Sequence, residues 1–130
     1  MTAVILAGGD GLRLRPLTCS LPKAMLSICN KPLIEYNFSA LMRHGIKNII
    51  ISADRFSKSI ADYFDDGRAD IPKLSFSGSP LGTSAALKKA VTEWDIPDDE
   101  SVLVINGSAF ADFNYSEILH AHKCSCAVLT

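Results

Sequence analysis

The run Thr2-Ala3-Val4-Ile5-Leu6-Ala7-Gly8-Gly9-Asp10-Gly11-Leu12-Arg13-Leu14-Arg15-Pro16-Leu17-Thr18 decides how this chain folds. Thr2 to Ala7 is short, apolar and partly β-branched, which reads as a buried strand. It runs straight into Gly8, Gly9 and Gly11. Glycines let a backbone turn sharply and bring its N–H groups close to a phosphate. Pro16 disfavours a helix through residue 15, so the loop is expected to stay extended and wrap around a ligand. Arg13 supplies positive charge in the loop, and Lys23, beside Pro22, supplies a second point of it. These features point to a nucleoside triphosphate site.

The spacing excludes the two commoner glycine loops. A P-loop needs Gly-Lys-Ser/Thr opening a helix, and no such tripeptide follows these glycines. A dinucleotide fold needs G-x-G-x-x-G, again opening a helix, but Gly9-x-Gly11 is followed by Leu14 where glycine is required.

Outward from this run, strand and helix alternate. Ala24 to Ile28 reads as a short extended piece and Asn30-Lys31-Pro32 as a turn, with Pro32 suited to the start of a helix. Leu33 to His44 carries apolar residues at 34, 38, 41 and 42, the helical spacing, and Gly45 terminates it. Lys47 to Ala53 is a β-branched strand. Ser57 to Phe64 is a helix closed by Asp65-Asp66-Gly67. Leu74 to Ser77 is a weak strand and Thr83 to Glu93 a helix. Ser101 to Asn106 is another buried strand, Tyr115 to Lys123 a helix, and Ala127 to Thr130 is expected to begin a last strand. The fold class is therefore α/β, Rossmann-like, with a mainly parallel sheet flanked by helices. Ligands of such sheets lie beyond the carboxyl ends of the strands. Both the glycine loop and Asn106-Gly107 belong on that rim.

The 130 residues make one domain, 1–130, and its size allows a real core. A net charge of −1 gives no support to a nucleic-acid or membrane-surface partner. No apolar run approaches transmembrane length, and the first strand lacks the basic flank and length of a secretory signal. The expectation is a soluble cytoplasmic protein with reduced cysteines at 19, 29, 124 and 126. His120-x-His122-x-Cys124-x-Cys126 has zinc-ligand residue types. The plainer reading is a helix C-terminus passing into a strand, with His and Lys123 near the last carbonyls.

The chain resembles the sugar-phosphate nucleotidyltransferases, the nucleotide-sugar pyrophosphorylases. Their opening motif, Gly-Gly-x-Gly-Thr-Arg-Leu-x-Pro-Leu-Thr followed by Pro-Lys, matches Gly8 to Thr18 and Pro22-Lys23, with Leu12 in place of the threonine. Asn30-Lys31-Pro32-Leu33-Ile34-Glu35-Tyr36, Pro80-Leu81-Gly82-Thr83 and Val104-Ile105-Asn106-Gly107 match in order along the rest. The resemblance implies transfer from a nucleoside triphosphate to a sugar 1-phosphate, with pyrophosphate leaving. It assigns catalysis to Arg13 and Lys23. It assigns nucleotide binding to Ala7, Gly8, Gly9, Gly11, Gly82 and Thr83, and implies Mg2+ as cofactor. The plain alternative for Arg13 and Lys23 is a solvated loop charge, and for Gly82 and Thr83 a turn before a helix N-cap.

Two departures bear on activity. Where the family carries a magnesium-binding aspartate after the later strand, this chain has Asn106-Gly107-Ser108. A serine hydroxyl is a weak magnesium ligand. Asp112, four residues on, is a candidate for the metal, its plainer role being a cap or turn before Tyr115. The family also continues for roughly as long again, which makes residues 1–130 the nucleotide-binding half of a truncated nucleotidyltransferase fold. The expected function is a nucleotidyltransferase impaired in this short form. The alternative is a non-catalytic nucleotide-binding or oligomerisation module. An unpaired strand edge suggests a homo-oligomer or a partner chain.

Overall fold

A computed structural model describes residues 1–9, 11–54, 57–65, 70–76 and 82–130. The strands are β1 (Thr2–Leu6), β2 (Ser27–Ile28), β3 (Lys31–Pro32), β4 (Asn48–Ala53), β5 (Lys73–Phe76) and β6 (Val102–Asn106). The helices are α1 (Leu33–Arg43), α2 (Ser57–Phe64), α3 (Thr83–Glu93) and α4 (Tyr115–Ser125). Four strands pair in parallel in the order β5-β4-β1-β6, while β2 and β3 form a small antiparallel hairpin. In register, Val4 of β1 stands between Ile50 of β4 and Val104 of β6.

Alternate residues of a strand face opposite sides of the sheet, and on β1 and β4 both sides are covered, whereas β6, expected to be buried, is only partly so. Ala3, Ile5, Ile49 and Ile51 pack with Ile34, Phe38 and Leu41 of α1, Ile60 and Phe64 of α2, and Tyr115 of α4. Val4 and Ile50, on the other face, pack with Ala90 of α3 and with Ile96. Each fully buried aliphatic side chain contributes about 1.5–3 kcal/mol. β1, β4, α1, α2 and α3 therefore form where their apolar periodicity places them. Gly45 follows α1 at φ 76°, a left-handed stop that suits glycine.

Some local expectations are corrected. The loop does not stay extended: Leu12–Leu14 form a 3-10 turn. Gly11 adopts a left-handed conformation, so the Leu14 amide bonds the Gly11 carbonyl at 2.8 Å upstream of Pro16. The piece expected to run extended from Ala24 begins as a second 3-10 turn, Lys23–Met25, and only Ser27–Ile28 is strand. Lys31 and Pro32 pair with that strand as β3. α4 continues to Ser125, and residues 127–130 are not a strand. Cys126, at φ 50°, reverses the chain so that the Thr130 hydroxyl meets His122 Nδ1 at 2.8 Å. Asp66, Gly67, Ser77, Pro80, Leu81 and Asp10 lie outside the described residues.

Candidate nucleotide-binding site

Two backbone hydrogen bonds fix where the glycine loop departs. The Ala7 amide donates to the Ser52 carbonyl at 2.8 Å, and the Gly107 amide donates to the Leu6 carbonyl at 2.9 Å. The parallel ladder thus ends on both sides of β1 as the loop begins. The loop is consequently held at the carboxyl rim, between the ends of β4 and β6.

Thr18 closes the loop from inside. It is fully buried, and its hydroxyl donates to the Gly11 carbonyl at 2.7 Å. Gly11 stands at φ 57°, and a Cβ there would lie 2.9 Å from Thr18 Cγ2. Glycine is needed on both counts. Lys23 is positioned by its neighbours: Pro22, Ala24 and Met25 are buried, the Met25 amide bonds the Pro22 carbonyl at 2.8 Å, and the lysine itself is exposed.

A cavity of about 80 Å³ opens against this frame, and Gly8, Gly9, Gly11, Lys23 and Ser108 line it. The structure therefore brings Lys23 to the glycines, with the Ala7 backbone alongside. Ser108 enters on a tight turn. Its N–H and its hydroxyl both donate to Asn106 Oδ1, at 3.0 and 2.9 Å. The buried Asn37 of α1 clamps the turn from below, donating to the carbonyls of Gly107 at 3.2 Å and Ala109 at 2.9 Å. Gly107 admits no side chain, because a Cβ would meet Ile5 Cγ2 at 2.9 Å. From the β4 side, the buried Asp54 carboxylate accepts the Gly9 amide at 3.2 Å.

The remaining candidates lie outside the cavity. Arg13 sits exposed on the 3-10 turn. Gly82 and Thr83 are exposed at the start of α3, where Gly82 at φ 74° precedes the helix and no side chain caps it, so Thr83 is not the cap. Asp112 is exposed, and the capping role before Tyr115 belongs to Asn114, whose side chain accepts the Glu117 amide. His120 and Cys124 approach to 3.7 Å on α4. Among the described residues no group of three or more His, Cys, Asp or Glu is placed to hold a metal ion. The cavity's described donors, backbone amides, an ammonium and a hydroxyl already bonded to Asn106, do not fit magnesium, which takes oxygen ligands and favours carboxylates.

Thr18, Asn37 and Asp54 were not singled out by sequence reasoning. Asn37 carried a signal, a polar residue on the buried face of α1 between Ile34 and Leu41. Asp54 carried one too, a carboxylate at the carboxyl end of a buried strand.

A family model described as nucleotidyl transferase matches residues 2–130. This chain belongs to the nucleotidyl transferase family. A D-glycero-α-D-manno-heptose 1-phosphate guanylyltransferase of Aneurinibacillus thermoaerophilus is 36% identical over 100% of the chain and 56% of its own length. A UTP–glucose-1-phosphate uridylyltransferase of Synechocystis is 30% identical over 100% of the chain and 36% of its own length. A mannose-1-phosphate guanyltransferase of Hypocrea jecorina is 35% identical over 95% of the chain and 34% of its own length. The crystal structure of HddC from Yersinia pseudotuberculosis complexed with GMP-PN superposes with a TM-score of 0.79 at 28% identity, over 93% of this chain and 53% of that one. This family member thus spans between a third and somewhat over half the length of these relatives. The Rossmann-like fold is shared with the HddC structure.

Proposed function

We propose that this chain binds a nucleoside triphosphate at the glycine loop and serves nucleotidyl transfer to a sugar 1-phosphate. One observation carries the reading: Gly8, Gly9 and Gly11 share a cavity with Lys23. In the proposed reaction a sugar-phosphate oxygen attacks the α-phosphorus and pyrophosphate leaves. Such a step needs in-line positioning and neutralisation of phosphate charge. The loop amides orient the nucleotide, and the Lys23 ammonium takes up charge that develops on the leaving group. Arg13, on the exposed turn, reaches a longer phosphate chain from outside. Gly82 and Thr83 serve the base from the same rim. The relatives' names, two guanyl- or guanylyltransferases of sugar phosphates and a uridylyltransferase, support the substrate class.

Ser108 in the cavity favours a second reading, a module that binds nucleotide without turning it over. Self-association belongs with either reading. Among the described residues β6 pairs with β1 alone and exposes Val104 at mid-strand, and a symmetric pair of copies would cover that edge. The cytoplasm suits four exposed free cysteines.

Calorimetric titration with the common triphosphates tests the site. Arg13→Ala and Lys23→Ala are each expected to weaken binding by about 1–3 kcal/mol. No detectable binding of any triphosphate at millimolar concentration sinks the proposal. A pyrophosphate-release assay separates the readings. Turnover of roughly 1–1,000 per second marks an enzyme, and binding without turnover marks the module. Sedimentation at micromolar concentration decides self-association, a 14.0 kDa monomer being the contrary result.

A further inference from the structure

Among the described residues, the cavity at the glycine loop offers no carboxylate to a metal-chelated phosphate, and it offers the donors that a bare phosphate needs. Its polar lining among the described residues is the backbone of Gly8, Gly9 and Gly11, the Lys23 side chain and Ser108. The rest of that lining is aliphatic. The Ser108 turn is held by Asn37 from α1 and by the Gly107–Leu6 hydrogen bond from β1. Asn106 Oδ1 accepts both the amide and the hydroxyl of Ser108. When the hydroxyl turns toward an anion, the amide bond still satisfies that acceptor. Asp54 reaches the loop from the β4 side, where the Gly9 amide already engages it, while Ser108 enters from the β6 side with β1 between them. A divalent cation beside Lys23 would meet like charge with no described carboxylate in the cavity to offset it.

We propose that this cavity takes an oxyanion directly, a terminal phosphate or pyrophosphate carrying no divalent cation. Lys23 supplies the charge, and Ser108 with the loop amides supplies the donors. The volume, about 80 Å³, suits one small oxyanion group, with the rest of a nucleotide lying outside it. The proposal deepens the nucleotide-site reading, because it names the form in which phosphate enters that site. Ser108 at this turn can donate to the anion itself, where an aspartate would instead offer a ligand to a metal.

The test is calorimetric titration of the 130-residue chain with inorganic pyrophosphate, once in EDTA and once in excess magnesium chloride. Binding in EDTA at least as tight as in magnesium is expected, and loss of that binding in Lys23→Met. Ser108→Asp is expected to weaken binding in EDTA roughly tenfold or more, since it sets a negative charge against the anion. Ser108→Ala, which leaves the turn's volume almost unchanged, is expected to weaken it less. Thermal melts of each variant confirm folding. Binding only in magnesium, absence of binding in both buffers, or equal EDTA affinity in Ser108→Asp and the parent chain overturns the proposal. A parallel titration with GTP and UTP keeps the two readings apart. Triphosphates that bind only with magnesium leave the nucleotide site standing and remove this inference. Pyrophosphate binding in EDTA with no triphosphate binding does the reverse.

Discussion

Asp54 Oδ2 accepts the amide hydrogen of Gly9 across 3.2 Å, which ties the carboxyl end of β4 to the middle of the glycine loop. Gly9 lies at φ 121°, a conformation that other residues rarely adopt, and the carboxylate holds it there. The bond orders the loop, but the carboxylate's negative charge also faces the segment we propose for phosphates. Asp54→Asn keeps an acceptor and removes the charge. It is expected to bind triphosphate as well as the parent chain or better. Asp54→Ala is expected to lose about 1–2 kcal/mol of stability and to bind more weakly. Urea denaturation and calorimetry on both variants check this, and weaker binding in Asp54→Asn would assign the charge itself a task.

Asn37→Leu is expected to cost about 1–3 kcal/mol in urea unfolding, because the buried Gly107 carbonyl loses its side-chain donor and the part-buried Ala109 carbonyl loses one too. The turn that presents Ser108 then loosens, so anion binding at the loop is expected to fall together with stability.

Gly11→Ala is expected to destabilise the fold by roughly 1–3 kcal/mol, from the left-handed backbone and from the contact its Cβ makes with Thr18. Thr18→Ser keeps the hydroxyl that bonds the Gly11 carbonyl and removes the Cγ2 methyl in the way. In a double-mutant cycle, Thr18→Ser should therefore recover some of the steric part of the Gly11→Ala loss, since Cβ and Oγ remain at 3.1 and 3.3 Å, but not the backbone part.

Glu100 gives the fold an acid-sensitive joint. The Thr2 hydroxyl donates to Oε1 at 2.7 Å and the Met1 amine stands 3.0 Å from the same oxygen. The Thr2 hydrogen bond first, and then the amine, hold the carboxyl below its usual value of 4.5. A depressed carboxyl stabilises the folded state above its unfolded pKa, and that contribution is lost as pH falls through the folded value. The thermal midpoint is thus expected to drop more steeply in the parent chain than in Glu100→Gln as pH falls below about 4.5. Parallel slopes for the two proteins would refute the assignment.

The sequence by itself determined most of the architecture. The Thr2 to Ala7 run, the β-branched Asn48–Ala53 strand and the apolar spacing in Leu33–Arg43, Ser57–Phe64 and Thr83–Glu93 each carry a local period. A period states which residues must leave water and so which element forms. The glycines and the pairing of Pro22 with Lys23 were legible for the same reason, since backbone freedom and charge are properties of single residues. Tertiary structure decided what depends on partners distant in the chain. That Asp54 and Gly9 meet, that Asn37 holds the turn of Ser108, and that Thr18 closes over Gly11 follow from how β4, α1 and β6 pack around β1. Residues 127–130 make the same point from the other side. Their apolar composition suggests a strand, but strand formation requires a hydrogen-bonding neighbour in register. The left-handed turn at Cys126 instead sends Thr130 back to His122.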